Sequence, residues 1–434
     1  MNWSHDRETD VYWIIGLPYC ERHPNMEYGT MGIFVPGAYL RGEECGGYTA
    51  DTAPIVMPIE TGGYAAMPSP EGFVDEAALF TREGFVYVRS GCRDRSHGAP
   101  AGVTDLKAAI RFLRSRADIP GDKERIFTFG MSGGGAQSAL VGTTGDSPAY
   151  APYLEAIGAC EGSDAVLGSM CWCPVTTLDM ADAAYEWCMG SARPLDEQIG
   201  LSVRLAQAYP AYVDSLDLPQ EKPYMEEVLS LISRSLNHFL EDSAPHWCGF
   251  TSPEAYVAHI AAQGESENWV TWEDGKAVVH DLGGFVRAFK QPWKPVGAFD
   301  NANRPTWENE LFGGRFCAQM EGVDLNRRDA LGTAVADRVA MYDPLHFLCE
   351  CFPQYRTAKV APYFRIRTGI EQGDTSLTTE LNLALALTQY GVDVDFETVW
   401  MQAHVLAERT GGPMENFIRW VKECIDKEVA SCGC

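Results

Sequence analysis

Residues 126–140 read Ile-Phe-Thr-Phe-Gly-Met-Ser-Gly-Gly-Gly-Ala-Gln-Ser-Ala-Leu. A compact apolar strand, Ile126–Phe129, runs without a linker into glycines and then into an Ala/Leu helix starting near Gly134. Within it, Gly130-Met131-Ser132-Gly133-Gly134 has the form G-x-S-x-G. A serine on so tight a turn must accept strained backbone, and the flanking glycines let strand and helix approach without Cβ clashes. The hydroxyl is then held clear of the sheet edge, and the Gly133 N–H at the helix start points toward a developing oxyanion. A phosphate loop would need G-K-[ST] and a dinucleotide site G-x-G-x-x-G; the segment has neither. The pattern therefore reads as a nucleophile turn.

The surrounding pattern is that of a parallel sheet covered on both faces. Short apolar strands are expected at Val11–Leu17, Met31–Val35, Ala53–Pro58 and Phe85–Arg89. A helix over Asp105–Arg116 carries Leu106, Ala109, Ile110 and Leu113 at helical spacing. From residue 176 to 341 strand-like runs disappear. Amphipathic stretches such as Leu195–Ala208 and Tyr224–Leu240 take over, with Trp187, Trp247, Trp269, Trp272, Trp293 and Trp307. The α/β alternation then resumes: strand Tyr363–Thr368, helix Ser376–Tyr390, strand Val394–Trp400, helix Glu415–Val429. We read one doubly wound sheet domain, 1–175 and 342–434, split by a largely helical insertion, 176–341.

A nucleophilic serine needs a base and an orienting acid, and after such a turn the chain order is Ser, acid, His. His404 lies four residues past the strand ending at Trp400, where the base belongs; His346 reads as a packed residue. The loop after Tyr363–Thr368 offers two carboxylates, Glu371 and Asp374. Asp374 is the preferred acid, with a helix N-cap as its structural alternative, and Glu371 remains open. Asp393 and Asp395 sit on the outward alternation of their strand. A second oxyanion amide is expected from Gly62 or Gly63 after strand Ala53–Pro58, although a plain glycine turn has the same signature.

Composition narrows the partners. The chain has 434 residues, 34 basic and 60 acidic, a net charge of −26. Such a surface repels phosphate backbones, so nucleic acid and anionic membrane are not expected as partners. No apolar run reaches the ~18 residues of a membrane helix, and the polar N-terminus lacks an apolar segment of signal-peptide length, so the chain reads as cytoplasmic. Fourteen cysteines form no C-x-x-C pair. The close pairs are only C-x-C, at Cys171/Cys173, Cys349/Cys351 and Cys432/Cys434, so reduced, packed thiols are expected rather than a metal site. Neither metal nor organic cofactor is expected; homo-oligomerisation is left open.

Several segments resemble one family, the bacterial subtype B tannases and their feruloyl-esterase-like relatives, which are α/β-hydrolases. They are Tyr48–Ile55 leading to Gly62-Gly63-Tyr64, Thr104–Ala109, Gly130–Gly135, Tyr150–Leu154, Ile366–Gly369 and Asp374-Thr375-Ser376. The resemblance implies Ser132 as nucleophile, His404 as base and residues 176–341 as a lid. Tannases tend to carry two aspartates flanking a single residue where this chain has Gln372 and Asp374. The first resembles the catalytic acid position; the second contacts galloyl hydroxyls in tannases. Asp374 is accordingly expected to serve as the triad acid. The segment after His404, Val405-Leu406-Ala407-Glu408-Arg409, lacks the Ser-Gly-Asp-Tyr common in tannases. The expected activity is serine carboxylic-ester hydrolysis of an aromatic, feruloyl- or galloyl-type small molecule. A serine peptidase or acyltransferase of the same fold is the alternative, and a non-catalytic binding protein a more distant one.

Overall fold

The computed structural model describes residues 1–192, 199–242, 249–264, 268–290 and 294–432. His246, Trp247, Trp293, Cys434 and the first residues of the stretch Leu195–Ala208 lie outside them. Seven strands precede the insertion: β1 (Ser4–Asp6), β2 (Val11–Pro18), β3 (Thr30–Pro36), β4 (Ile55–Ile59), β5 (Val86–Ser90), β6 (Ile126–Met131) and β7 (Gly168–Trp172). A hairpin follows, β8 (Val270–Glu273) and β9 (Lys276–Val279), and then β10 (Tyr363–Gly369) and β11 (Asp393–Val399). Nine of them form one sheet in the order β1-β2-β3-β5-β4-β6-β7-β10-β11, parallel from β5 through β11 and antiparallel at the β1–β3 end.

The longer helices before the insertion are α1 (Ala101–Ser115) and α2 (Gly133–Thr143); after it come α10 (Leu377–Tyr390) and α11 (Pro413–Cys432), with α3–α9 between. Side-chain alternation along the strands divides the core in two. Ile33, Val86, Val88, Ile126, Phe364 and Ile366 join Leu106, Ile110, Leu140 and Leu387 on the face carrying α1, α2 and α10. Phe34, Tyr87, Phe127, Phe129 and Tyr363 join Phe417, Trp420 and Val421 of α11 on the other. Phe129 and Phe417 lie 4.6 Å apart between ring centroids, a pairing that contributes ~0.5–1.5 kcal/mol beyond the area it buries.

Between β7 and β10 lie α3 (Ala181–Met189), α4 (Ile199–Leu216), α5 (Tyr224–Asp242), α6 (Pro253–Ala261), α7 (Leu282–Phe289), α8 (Trp307–Leu311) and α9 (Val335–Met341). The expected loss of strands there is not complete. The hairpin β8–β9 turns at Asp274 (φ 49°) and Gly275 (φ 81°), an Asp-Gly turn whose positive φ values match the twist of paired strands. Apolar side chains of α5, Val228, Leu231 and Ile232, share the core of the α1/α2/α10 face. Two sheet strands were not anticipated, the three-residue edge strand β1 and the central strand β7 (Gly168–Trp172). The five residues of β7 are buried on both faces, so they show no alternation to read. No described helix is long and apolar enough to cross a membrane.

Candidate active site

Ser132 stands between β6 and α2 with φ 59° and ψ −122°. A non-glycine residue holds this conformation only where its surroundings over-determine it. Here the Ser132 N–H donates to Trp172 O at 2.9 Å, and the Ser132 carbonyl accepts from Ala136 N at 2.9 Å. The flanking glycines are required sterically. A Cβ on Gly134 would stand 2.0 Å from Ile59 O, and one on Gly130 would stand 2.5 Å from the Gly134 carbonyl. The strand and helix therefore meet at backbone distance, and the serine is pushed outward.

The loop after β4 packs against the start of α2, so that a Cβ on Gly133 would lie 2.6 Å from Tyr64 N and 3.2 Å from Gly63 N. Gly133 is in the first helical turn, where amides have no intrahelical acceptor, and Gly63 sits beside it at φ 59°. The loop is held from three sides. Tyr64 Oη donates to Val175 O at 2.9 Å, Thr61 Oγ1 to Gln137 Oε1 at 2.8 Å, and Arg95 Nη1 to Gly63 O at 2.9 Å. Gly62 has no heavy atom within 4 Å of its Cβ position, so it faces open space.

His404 lies on the loop after β11. Gly369 at the end of β10 is what brings the loop close: a Cβ there would meet Ala403 O at 1.9 Å. The loop closes through Gln402, whose side chain bonds both the N–H and the carbonyl of Glu408 (3.1 and 2.7 Å). Buried Glu408 accepts from Arg365 through both of its oxygens at 2.6 Å, from Trp172 Nε1 at 3.1 Å and from Asn416 Nδ2 at 2.9 Å. A paired, bidentate carboxylate thus anchors the His404 loop to the sheet.

The residue in hydrogen-bond contact with His404 is Gln372, whose Oε1 is 2.5 Å from Nδ1. Asp374 Oδ2 is 3.8 Å from that nitrogen, and its side chain is 49% exposed. Asp374 does not cap α10; Ser376 is the N-cap and accepts from Thr378 N. Glu371 lines a different cavity, with Tyr256, Phe289 and Met401, and burial raises its carboxyl above the ordinary range. Burial also pushes the His404 imidazole below 6.5. The charge of Asp374 opposes that effect and the charge of Lys294 adds to it.

One cavity of about 570 Å³ gathers Ser132, Gly62, Gly63, Asp374 and His404. Pro58, Phe129, Trp172, Trp307, Leu406 and Met414 make much of its wall apolar, and Glu60 and Glu76 also line it. Trp307 comes from α8, is 59% exposed, and lies under the Arg95 guanidinium at 5.4 Å. The sequence alone did not single out Gln372 as the histidine's partner, nor Lys294, nor the Glu60/Glu76 pair. The family resemblance put Gln372 at the acid position, but an amide there gave no reason to expect it on the histidine. Lys294, Glu60 and Glu76 have no periodic or motif signal, and only the folded chain makes them neighbours.

The eleven described cysteines are all free. Among the described residues, Asp179, Asp343 and His346 form the one group whose ligand atoms lie within metal-sharing distance of one another. His346 Nε2 is 3.1 Å from Asp179 Oδ2, and the ring stacks on Phe352 at 3.8 Å, so the group reads as a packed histidine–carboxylate cluster. Its residues do not line the Ser132 cavity.

A strained serine at a strand–helix turn, a histidine on the loop after a late strand and paired glycine loops at the helix start define an α/β-hydrolase arrangement. The comparisons agree. A BD-FAE family model matches residues 47–159. The tannin acyl hydrolase of Lactobacillus plantarum superposes with a TM-score of 0.80 at 26% identity, over 95% of this chain and 94% of that one. The tannase of Fusobacterium nucleatum gives 0.80 at 25% identity, over 96% and 95%. A tannin acyl hydrolase in complex with ethyl gallate gives 0.80 at 26%, over 95% and 94%. No curated protein sequence matches the chain.

The protein is thus a carboxylic ester hydrolase of the α/β-hydrolase fold. Within that class it is tannase- and feruloyl-esterase-like.

Proposed function

We propose that this enzyme hydrolyses small phenolic-acid esters, of galloyl or feruloyl type, through Ser132 and His404. The observation that carries the reading is the shared cavity: the strained serine, the histidine, the glycine loop and Trp307 line one apolar-walled space. His404 Nε2 takes the proton of Ser132 Oγ as that oxygen attacks the ester carbonyl, and returns it to the departing alcohol. Water then repeats the sequence on the acyl-enzyme and releases the acid. Amides of Gly133 and Gly63 hold the oxyanion, with Gly62 flanking them. Asp374, 3.8 Å from the imidazole, is the triad acid in this reading and supplies the charge that stabilises imidazolium. The aromatic walls suit a flat ring, and related structures hold ethyl gallate and 3,4-dihydroxybenzoate. The insertion, residues 176–341, acts as the lid and contributes Trp307 to the roof.

The test is a hydrolysis panel of methyl gallate, methyl ferulate, chlorogenate and p-nitrophenyl acetate and butyrate. Preference for the aromatic esters by kcat/KM supports the reading. Turnover confined to simple acyl esters refutes the substrate class, and turnover of none refutes the activity.

A further inference from the structure

The position that would carry a carboxylate against the histidine is an amide, and an amide can face an imidazole either way round. With its oxygen toward Nδ1 it accepts, so the proton sits on Nδ1 and Nε2 is free to act as base. With its nitrogen toward Nδ1 it donates, Nδ1 must be bare, and Nε2 carries the proton and cannot accept one. Something must decide between the two.

Behind Gln372 stands Glu380, on the first turns of α10. It is fully buried, and Gln372 is 1% exposed. Gln372 Nε2 is 2.9 Å from Glu380 Oε1 and 2.6 Å from Thr368 Oγ1. The other groups bonded to the carboxyl are hydroxyls able to donate: Thr375 Oγ1 at 2.9 Å and Thr368 Oγ1 at 3.3 Å on Oε1, and Thr379 Oγ1 at 3.0 Å on Oε2. Burial raises the Glu380 carboxyl above the ordinary range, and the charge of buried Lys290, whose Nζ donates to Ile370 O at 3.2 Å, opposes that effect together with the hydroxyl donors. Facing the Gln372 NH₂ and three threonine hydroxyls, the ionised Glu380 carboxylate only accepts. It admits the NH₂ of Gln372 and rejects its oxygen, because two acceptors facing each other at this distance in a dry site repel and forfeit the bond between them. The amide oxygen is thereby turned to His404, at 2.5 Å from Nδ1.

We propose that Glu380 acts through Gln372 as a positioning residue that sets the tautomer of His404. Resting on the reading of Ser132 as nucleophile and His404 as base, this assigns the triad's orienting role to a neutral amide locked by a buried charge. When Ser132 Oγ gives up its proton, Nε2 receives it and the Nδ1–H stays on the Gln372 oxygen, so no proton moves along the chain to Glu380. The negative charge acts from one residue further away than in a direct histidine–carboxylate contact, with Asp374 closer on the solvent side.

The test begins with the unaltered protein. Histidine ¹⁵N spectra, with His404→Gln used to assign its signals, should show a resting His404 protonated on Nδ1; protonation on Nε2 overturns the proposal. Glu380→Gln, an amide that can offer Gln372 either end, should lower kcat roughly tenfold or more with KM within about twofold. The double variant Gln372→Glu with Glu380→Gln places one charge directly on the imidazole. It should recover kcat and move the acid limb of the pH profile upward. If Glu380→Gln keeps full kcat, or if the double variant is no better than Glu380→Gln and leaves the limb unmoved, Glu380 is merely structural. If the unaltered protein turns over no ester and Ser132 resists a fluorophosphonate, the nucleophile reading fails instead, and the resting tautomer still decides this one.

Discussion

Asp374 Oδ2 lies 3.8 Å from His404 Nδ1, beyond hydrogen-bond range but close enough for its charge to be felt by the ring. Burial, the larger effect, depresses the imidazole below 6.5, and Lys294 depresses it further. In the proposed mechanism the neutral ring is the base, so kcat/KM should fall on the acid side with an apparent pKa below the ordinary histidine value. Asp374→Asn removes the effect that raises this pKa. The limb should move to lower pH while kcat drops at every pH. Lys294→Met removes an effect that lowers it, and its limb should move upward. Profiles on methyl gallate from pH 4 to 8 check both signs.

Ser132→Ala should abolish turnover and labelling by a fluorophosphonate while leaving the far-UV dichroism unchanged. The strained φ of 59° is tolerated by alanine no worse than by serine, so stability should change by less than about 1 kcal/mol.

Gly63 at φ 59° has no room for a side chain, since a Cβ would stand 2.6 Å from the Trp307 ring. Gly63→Ala should shift the proposed oxyanion amide and the tryptophan together. The loss of one well-placed donor is worth roughly 10²–10³ in kcat, and αL alanine adds about 1 kcal/mol of instability. Single-turnover rates and thermal melts separate the two effects.

Trp307→Ala tests the aromatic wall. The side chain is 59% exposed, so stability should stay within about 0.5 kcal/mol. An aromatic contact worth ~0.5–1.5 kcal/mol should appear as a rise in KM of about two- to tenfold for methyl gallate. For p-nitrophenyl acetate, whose acyl group has no ring, the rise should be smaller.

Glu408→Ala would remove both oxygens bonded to the buried Arg365 guanidinium and leave it only the half-exposed Asp395, 3.2 Å from its Nε. Removing one partner of a buried pair costs about 3–5 kcal/mol when the charge is left unpaired; with Asp395 still on Arg365 the loss should be about 2–3 kcal/mol. Denaturant melts should show that loss. At temperatures where the variant is still folded, kcat should fall as well, because the same carboxylate anchors the His404 loop.

The α/β-hydrolase class was legible in the chain because its signals are local. The G-x-S-x-G turn, the strands β2–β6 and β10–β11, and the helices α1, α2, α10 and α11 each show in consecutive residues, since strand and helix periods and glycine's freedom act over short spans. The order of Ser132 before His404 was legible for the same reason. Strand β7 was missed because burial on both faces erases alternation. The hairpin β8–β9 was overlooked within a helical stretch, although its Asp274-Gly275 turn was readable.

The partners of His404 were decided by packing between distant segments. The parallel pairing of β10 with β11, and the bare Cα of Gly369 against Ala403 O, set which residue of the 369–375 loop meets the imidazole. Sequence narrowed this to a stretch holding Glu371, Gln372 and Asp374. Only the fold put Gln372 at 2.5 Å, Asp374 at 3.8 Å and Glu371 in another cavity. A shift of one or two residues changes no local pattern, yet it moves a side chain by several ångströms. Charge interactions and hydrogen bonds depend on those ångströms, so the sequence by itself determined the kind of chemistry, and the tertiary structure decided which groups tune it.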